Sequence, residues 1–205
     1  MLRVAVLTSA LFTLGPVSAR AQSTHPNIRQ GFWLGFGLGD GFAALNCGTC
    51  GSDRYGGLSG YLRLGTTWAR NVLVGVEANG WLRSEAGSLY GDTSRVGQRE
   101  EETIGYGSFV VLWYPSRTGA LYLKFGLGGM RYHADDGTDV LSAIAPCASL
   151  GIGYELRMGR AFSIVPYLNS LSSSNVVMHF NGVPNSTRDD ITITLIQLGL
   201  GATWH

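Results

Sequence analysis

The chain has 205 residues, a formal net charge of +1 and 14% charged residues, against roughly 25% charged residues in ordinary soluble domains. Its 30 glycines are about twice the usual share. The near-neutral charge gives no indication of a nucleic-acid partner, and so few charges are unusual for a water-soluble domain of this size.

The first residues have the features of a cleaved export signal. A short basic start precedes a mostly apolar run over 4–14, and Ala19–Ala21 has the small-x-small form of a signal-peptidase site. We therefore predict a signal peptide over 1–21, cleaved after Ala21, and one domain over 22–205. No later run approaches the ~18 apolar residues of a membrane helix, so the predicted destination is the periplasm, the medium or the outer membrane.

Eight segments of the remaining chain alternate apolar side chains with polar or small ones, as β-strands with two different faces do. The predicted strands are 31–45, 58–68, 72–83, 102–114, 120–132, 147–157, 162–171 and 191–205. The fourth strand has an ambiguous phase, so its faces stay unassigned. Pro166 predicts a bulge in the seventh strand, because proline cannot donate to a ladder.

The connections between these strands alternate in length. The turns around 70, 117 and 159 are short, whereas the predicted loops at 46–57, 84–101, 133–146 and 172–190 are longer. Outer-membrane barrels are threaded in this way, with short periplasmic turns and longer external loops. The pattern therefore favours an even-stranded membrane barrel over a soluble meander.

Aromatic residues gather near the strand ends that the short turns and the termini share. They are Phe32, Trp33, Trp68, Trp113, Tyr114, Tyr122, Phe162 and Trp204. Rings collect at this level in membrane barrels because their apolar bodies favour the lipid edge and their polar tips favour headgroups. The sequence thus predicts an imperfect aromatic girdle at the short-turn end, in which some rings, such as Tyr122, fall on the opposite phase from their neighbouring leucines.

The mature chain resembles the small eight-stranded outer-membrane barrels, the broad grouping of the OmpA barrel, OmpX and OmpW. Ala19–Ala21, the eight alternating strands, the loop parity and the terminal stretch Leu198–Trp204 carry the resemblance. It implies an all-β, eight-stranded antiparallel up-and-down transmembrane β-barrel in the cell outer membrane. It also implies contact with outer-membrane lipid and recognition by the outer-membrane assembly machinery through the C-terminal strand. In this chain His205 follows Trp204, whereas such barrels usually finish on Phe.

Five charged residues lie on strand faces opposite the leucines. They are Arg63, Glu77, Lys124, Glu155 and Arg157. Because Arg or Lys facing lipid at mid-depth costs about 2–4 kcal/mol, we predict that these side chains point into the barrel. There they would form a paired network with Tyr61, Asn79 and Gln197, since buried charges persist mainly when paired. A polar plug is the main interpretation, and a gated path for small solutes is the alternative.

Three cysteines are present in a chain predicted to enter an oxidising compartment. Cys47 and Cys50 are predicted to form a local structural disulfide. Two free thiols, or a metal or redox site with the same spacing, are the alternatives. Cys147 is left without an assigned partner.

No catalytic, cofactor or metal site is assigned. His133 and Ser142 share a predicted external loop with Asp135 and Asp136, the residue types that barrel enzymes such as the lipid A deacylases use, but this spacing alone is a weak signal. The acidic stretch 135–139 lacks the closing Glu of the usual calcium loop. The glycine string of the first strand lacks the helix of a dinucleotide site.

The sequence therefore predicts a non-catalytic outer-membrane barrel with a structural or surface-interaction role and external loops that meet a partner. The first alternative is a narrow, porin-like channel or transporter for small solutes. A further alternative is a soluble periplasmic ligand-binding barrel. That alternative reverses the faces, with leucines inside and Arg63, Glu77 and Lys124 in water.

Overall fold

The structure is a computed structural model that describes residues 29–46, 54–86, 99–135, 139–159, 161–174, 176–181, 183–184 and 191–205. Eight long strands form its wall: β1 Phe32–Asn46, β2 Arg54–Ala69, β3 Val72–Ala86, β4 Arg99–Trp113, β5 Leu121–Asp135, β6 Val140–Tyr154, β8 Phe162–Ser173 and β11 Thr192–Trp204. Three short strands accompany them: β7 Leu156–Arg157, β9 Met178–Phe180 and β10 Val183–Pro184. Among these residues, no helix is long and apolar enough to cross a membrane.

The wall closes on itself. Strands β1 to β6 pair with their neighbours in chain order, β6 pairs with β8, β8 with β11, and β11 with β1. Every pairing is antiparallel. The all-β, eight-stranded antiparallel up-and-down barrel expected from the sequence is therefore confirmed.

The strands are strongly staggered. Cross-strand partners followed from Leu34 around the whole wall lead back to β1 at Ala44, ten residues further along. Closure with such a stagger requires strands tilted by roughly 35–45° from the barrel axis. A row of paired residues therefore climbs toward the end where β1 finishes, here called the long-loop end, as it passes from β1 to β5. The opposite end is the short-turn end.

Alternation along each strand separates an apolar outside from a mixed interior. Leu38 and Leu127 are 63% and 71% exposed on the outside, whereas Arg63 is 1% exposed inside. The phase of β4 is ambiguous in the sequence because both faces of this strand are apolar over 109–112. Period-2 geometry thus assigns side chains to faces even where the sequence pattern is weak.

The interior has two apolar regions. The larger one, toward the long-loop end, includes Trp81, Ile104, Met130, Leu171 and Ile193 among its members. A smaller one toward the short-turn end is formed by Trp33, Leu73, Val110, Leu112, Tyr114, Tyr122 and Val165. Buried polar and charged residues lie between and around them.

The predicted bulge at Pro166 is wrong. Pro166 pairs with Leu200 in an unshifted ladder between β8 and β11. On its other side, the pairing with β6 stops at Gly153–Tyr167 and resumes with β7 in the same register. Because proline has no N–H, the ladder is interrupted there without an extra residue. A register shift occurs instead where β2 ends against β3.

The predicted loop at 133–146 is also wrong. Strand β5 continues to Asp135 and β6 begins at Val140, with His133 and Ser142 paired across the two strands. The segment predicted as the last loop, 172–190, contains β9 and β10, which pair with each other while β9 also extends the sheet beside β6.

Candidate functional site

The centre of the barrel interior holds a buried ion pair. Lys124 Nζ from β5 lies 2.6 Å from Glu77 Oε1 from β3, and neither side chain is exposed. Strand β4 lies between β3 and β5 in the wall, so the two side chains meet in the interior in front of β4. A buried charge is tolerated when it is paired in this way, so each residue depends on the other.

Arg63 occupies the same interior beside the rings of Trp33, Tyr61 and Tyr122. Its Nη2 donates to the Tyr122 hydroxyl at 2.8 Å, and its guanidinium lies 4.6 Å from the centroid of the Tyr61 ring. Tyr61 in turn meets Tyr167 of β8 edge to face, with centroids 4.8 Å apart. Gly37 makes room for these rings, because a Cβ there would collide with Tyr61 and lie 2.8 Å from Tyr167 Cε1. Gly37 of β1 thus receives one ring from the neighbouring strand β2 and one from β8.

An amide pair also bridges the interior. Asn79 Nδ2 on β3 donates to Gln197 Oε1 on β11 at 2.9 Å, and Gln197 Nε2 donates back to Asn79 Oδ1 at 2.7 Å. Both residues are buried. This reciprocal contact satisfies a donor and an acceptor on each amide.

A second charged group closes the short-turn end. Glu155 accepts hydrogen bonds from Arg29 Nη2 at 2.9 Å and from the Tyr114 hydroxyl at 2.6 Å, and His205 Nε2 lies 3.1 Å from its Oε1. The Arg29 guanidinium stacks 3.5 Å from the centroid of the Tyr114 ring and also donates to the Gly119 carbonyl. Residues from before β1 and after β11 therefore meet at one carboxylate.

A third charged group lies toward the long-loop end. Arg83 Nη1 is 3.0 Å from Glu102 Oε2, and the Tyr132 hydroxyl donates to the other carboxylate oxygen at 3.0 Å. The Arg83 guanidinium also lies 4.2 Å from the centroid of the Tyr55 ring. Between this group and the central ion pair, Trp81 donates to the Gly41 carbonyl at 2.9 Å.

The structure distributes the five predicted interior charges over two places. Arg63, Glu77 and Lys124 are buried in the barrel centre, and Glu155 is buried at the short-turn end. Arg157 lies half-buried on β7 at that same end.

Sequence reasoning missed Arg29, the partner of Glu155, and the separate ion pair of Arg83 with Glu102. Arg29 precedes the first strand, so no periodicity marks it, and Glu102 lies on the strand of ambiguous phase. Arg83 shares its phase with Glu77 and Asn79 and could have been included on that signal.

The aromatic girdle is smaller than predicted. Phe32, Trp68, Trp113, Phe162 and Trp204 lie on the outer face at the short-turn end. Trp33, Tyr114 and Tyr122 are each at most 1% exposed and point inward, so their assignment to the girdle is wrong. Two of the three directly follow an outward aromatic, and consecutive strand residues point to opposite faces.

The remaining candidates have simple placements. Cys147 is a buried free cysteine, whereas Cys47, Cys50, Asp136 and the signal segment 1–21 lie outside the described residues. His133 and Ser142 face each other on the outside of β5 and β6. No hydrogen bond joins these two side chains among the described residues, although a nucleophile and its base require one.

Comparison with known proteins identifies the fold. No protein-family model and no curated protein matches the chain. Among solved structures, Neisserial surface protein A has a TM-score of 0.51 at 10% identity, over 85% of this chain and 96% of that one. Ail, the attachment invasion locus protein of Yersinia pestis, has a TM-score of 0.51 at 12% identity, over 85% and 99%. At this identity the likeness shows the fold, and the resemblance to small eight-stranded barrels is confirmed at that level.

Proposed function

We propose that this protein is a non-catalytic barrel of a bacterial outer membrane with a structural and surface-interaction role. It would be exported through a cleaved signal peptide over 1–21 and would present its long-loop end to the outside. The observation that carries the proposal is the combination of an apolar outer belt with an interior in which charged and amide side chains pair with one another across the barrel.

The outer belt supports a location in lipid. Large apolar side chains cover the outside of every long strand, including Leu64, Phe109, Leu150 and Leu198, and an apolar band about 25 Å tall is the mark of a membrane barrel. A soluble barrel would need these side chains inside. Among charged residues of the long strands, Asp40 faces outward in the upper part of this belt and Arg131 faces outward at its upper edge.

The interior supports a closed barrel. The Lys124–Glu77 ion pair joins β5 to β3, and the Asn79–Gln197 pair joins β3 to β11. Trp33 and Trp81 are at most 1% exposed below and above this level. An eight-stranded interior is just wide enough for side chains to fill, so these contacts favour a plug over a path for solutes.

The surface role rests on the other end of the molecule. The long-loop end carries the longest connections and the charged segments that join β3 to β4 and β5 to β6. One structural neighbour is a Neisserial surface protein and another an attachment invasion locus protein. Their likeness to this chain supports only the fold. The proposed contacts of the loops are inferred from the length and charge of this chain's own connections.

Membrane placement is tested by fractionation and by site-directed spin labelling. We expect recovery in the outer-membrane fraction and heat-modifiable gel migration. A nitroxide at Leu127→Cys should be relaxed by oxygen and protected from a water-soluble nickel chelate, whereas the matched label at Arg117→Cys, in an exposed turn, should show the reverse. Labels are attached in a background with the three natural cysteines replaced by serine. A water-exposed label at Leu127 would overturn the proposal.

The channel alternative is tested separately in planar bilayers. A closed interior predicts no steady conductance for the wild-type protein at a few hundred millivolts. Steady ion conductance that changes with Glu77→Gln would establish the narrow channel instead.

Recognition by the assembly machinery is part of the same proposal. Trp204 packs against Phe36 and Phe162, with ring centroids 5.7 Å and 5.0 Å away, at the end of the closing strand. We expect Trp204→Ser to lower the fraction of barrel assembled in cells more than the fraction that refolds in detergent. Equal losses in the two assays would assign Trp204 to packing alone.

A further inference from the structure

A groove of about 520 Å³ crosses the outside of the barrel. Its lining comes from five consecutive strands, β1 to β5. Gly60, Gly80 and Gly105 are paired with one another across β2, β3 and β4 and lie along its base. Leu38 covers Gly60, where a Cβ would lie 2.8 Å from Leu38 Cδ2, so Gly80 and Gly105 form the open floor. Leu38 stands beside Gly60 at one end of this row, and Arg131 stands beside Gly105 at the other. We call this feature the outer groove.

Missing side chains produce the depth of the outer groove. A Cβ built at Gly80 or Gly105 would meet no atom within 4 Å, so both positions open outward. Leu58 and Leu82 form a wall along the side nearer the long-loop end, and each is 53% exposed. The outer groove is therefore an apolar depression in the surface, with backbone atoms as its floor.

The outer groove runs obliquely. It spans four inter-strand spacings, or roughly 19 Å, and its row of paired residues climbs toward the long-loop end from Leu38 to Arg131. Arg131 lies four residues before the end of β5, so it stands at the upper edge of the apolar belt. His133, which also lines the groove, lies on the same face one step higher.

The upper end of the outer groove carries positive charge. Arg131 is exposed on the outer face, and no other described residue forms an ion pair or hydrogen bond with its side chain. Asp40, two residues after Leu38 on the same face of β1, is exposed beside the lower end. This separation of charge favours a ligand whose anionic group sits high and whose apolar part runs downward. Arginine also binds phosphate oxygens through parallel N–H donors.

The floor determines what kind of chain can lie on it. Strands β2, β3 and β4 are paired on both sides, so their backbone groups already serve the ladders of the wall. A peptide strand needs a free sheet edge for its own hydrogen bonds, whereas a hydrocarbon chain needs none.

We propose that the outer groove binds a phosphorylated lipid of the leaflet at the long-loop end. Its acyl chain lies along Gly80 and Gly105 and against Leu38, and its phosphate contacts Arg131, with His133 beside it. The inference deepens the proposed function, since it rests on the barrel standing in a membrane with its long-loop end in that leaflet.

Native mass spectrometry of the barrel released from detergent micelles tests the site. The probes are dimyristoyl phosphatidic acid and dimyristoyl phosphatidylcholine, which share acyl chains and differ in headgroup. We expect the wild-type barrel to retain phosphatidic acid preferentially, and Arg131→Gln to reduce that retention roughly tenfold, as loss of a charge-assisted hydrogen bond implies. Gly80→Leu or Gly105→Leu should reduce retention of both lipids by filling the floor.

Two matched controls isolate the outer groove. Gly107→Leu adds the same side chain at an outward glycine of β4 that also has open space around it but does not line the groove. Arg54→Gln removes an outward arginine at the start of β2. Both should retain phosphatidic acid as the wild type does. Heat-modifiable migration shows whether each variant is folded. If one of the two floor variants, Gly80→Leu or Gly105→Leu, does not fold, the other tests the floor.

Three results would overturn the inference. Equal retention of the two lipids by the wild type would remove the phosphate assignment. Equal losses in Arg131→Gln and Arg54→Gln would mean general attraction to charge, and equal effects of Gly80→Leu and Gly107→Leu would remove the groove. Failure of the proposed function is a distinct result, because it appears in fractionation and spin labelling of the wild type.

Discussion

Removing one partner of the Lys124–Glu77 ion pair should destabilise the barrel strongly. The Nζ–Oε1 distance is 2.6 Å and neither side chain is exposed. Lys124→Met keeps an unbranched side chain of similar length but leaves the Glu77 carboxylate without its ammonium partner. Glu77→Met leaves the Lys124 ammonium without its carboxylate partner, and the double variant leaves no charge at either position.

The expected magnitude follows from burial. Breaking a buried ion pair from one side costs about 3–5 kcal/mol, whereas replacing both partners by apolar residues of similar volume is often neutral or stabilising by about 1–4 kcal/mol. We therefore expect each single variant to lose about 3–5 kcal/mol and the double variant to recover most of that loss. The resulting coupling energy in the double-mutant cycle is about 3 kcal/mol or more.

Urea unfolding of the barrel in lipid vesicles measures these free energies. The five tryptophans report unfolding by fluorescence, and gel migration of unheated samples gives the folded fraction independently. Arg117→Met is the matched control, because it removes a cation from an exposed turn and should change stability by less than about 0.5 kcal/mol.

A loss below about 1 kcal/mol in Lys124→Met would refute the reasoning, since that is the range of exposed ion pairs. The reasoning would also be refuted if the double variant were as unstable as the less stable of the two single variants. The interior at this level would then be accessible to water, which would favour the channel.

Two further outcomes follow from side-chain placement. Gly37→Ala should lose about 1–3 kcal/mol by overpacking against Tyr61, while Gly107→Ala, which enters open space, should lose less than about 0.5 kcal/mol; similar losses at both positions would contradict the inward placement of Gly37. In a background with Cys47 and Cys50 replaced by serine, the buried thiol of Cys147 should resist a membrane-impermeant maleimide until the barrel is unfolded. Rapid labelling of the folded barrel would show that the thiol is reachable from water.

Local alternation predicted much of this molecule, because a strand has a period of two wherever it lies. Arg63 stands between Leu62 and Leu64, and this pattern alone assigned the arginine to one face and the leucines to the other. The same reasoning failed at β4, where consecutive apolar residues over 109–112 give no phase. It also misassigned Trp33, because nearness to a strand end does not say which way a ring points.

Contacts between distant strands depended on the tertiary structure. Glu155 is bonded to Arg29, which is 126 residues away, and to His205 from beyond the last strand. The sequence contains all three groups but no signal that they meet. Only the closure of the wall brings the two ends of the described chain to Glu155, which lies between β6 and β7.

The sequence by itself determined the all-β class, the number of long strands and, where alternation is clear, which side chains share a face, because these depend on neighbours along one strand. Register and stagger decided the rest. Gly80 and Gly105 become one open floor beside Gly60 only because two ladders align the three glycines, and the stagger sets Arg131 above them. Cross-strand alignment is a property of the closed wall, since each ladder must agree with every other one before the barrel can close.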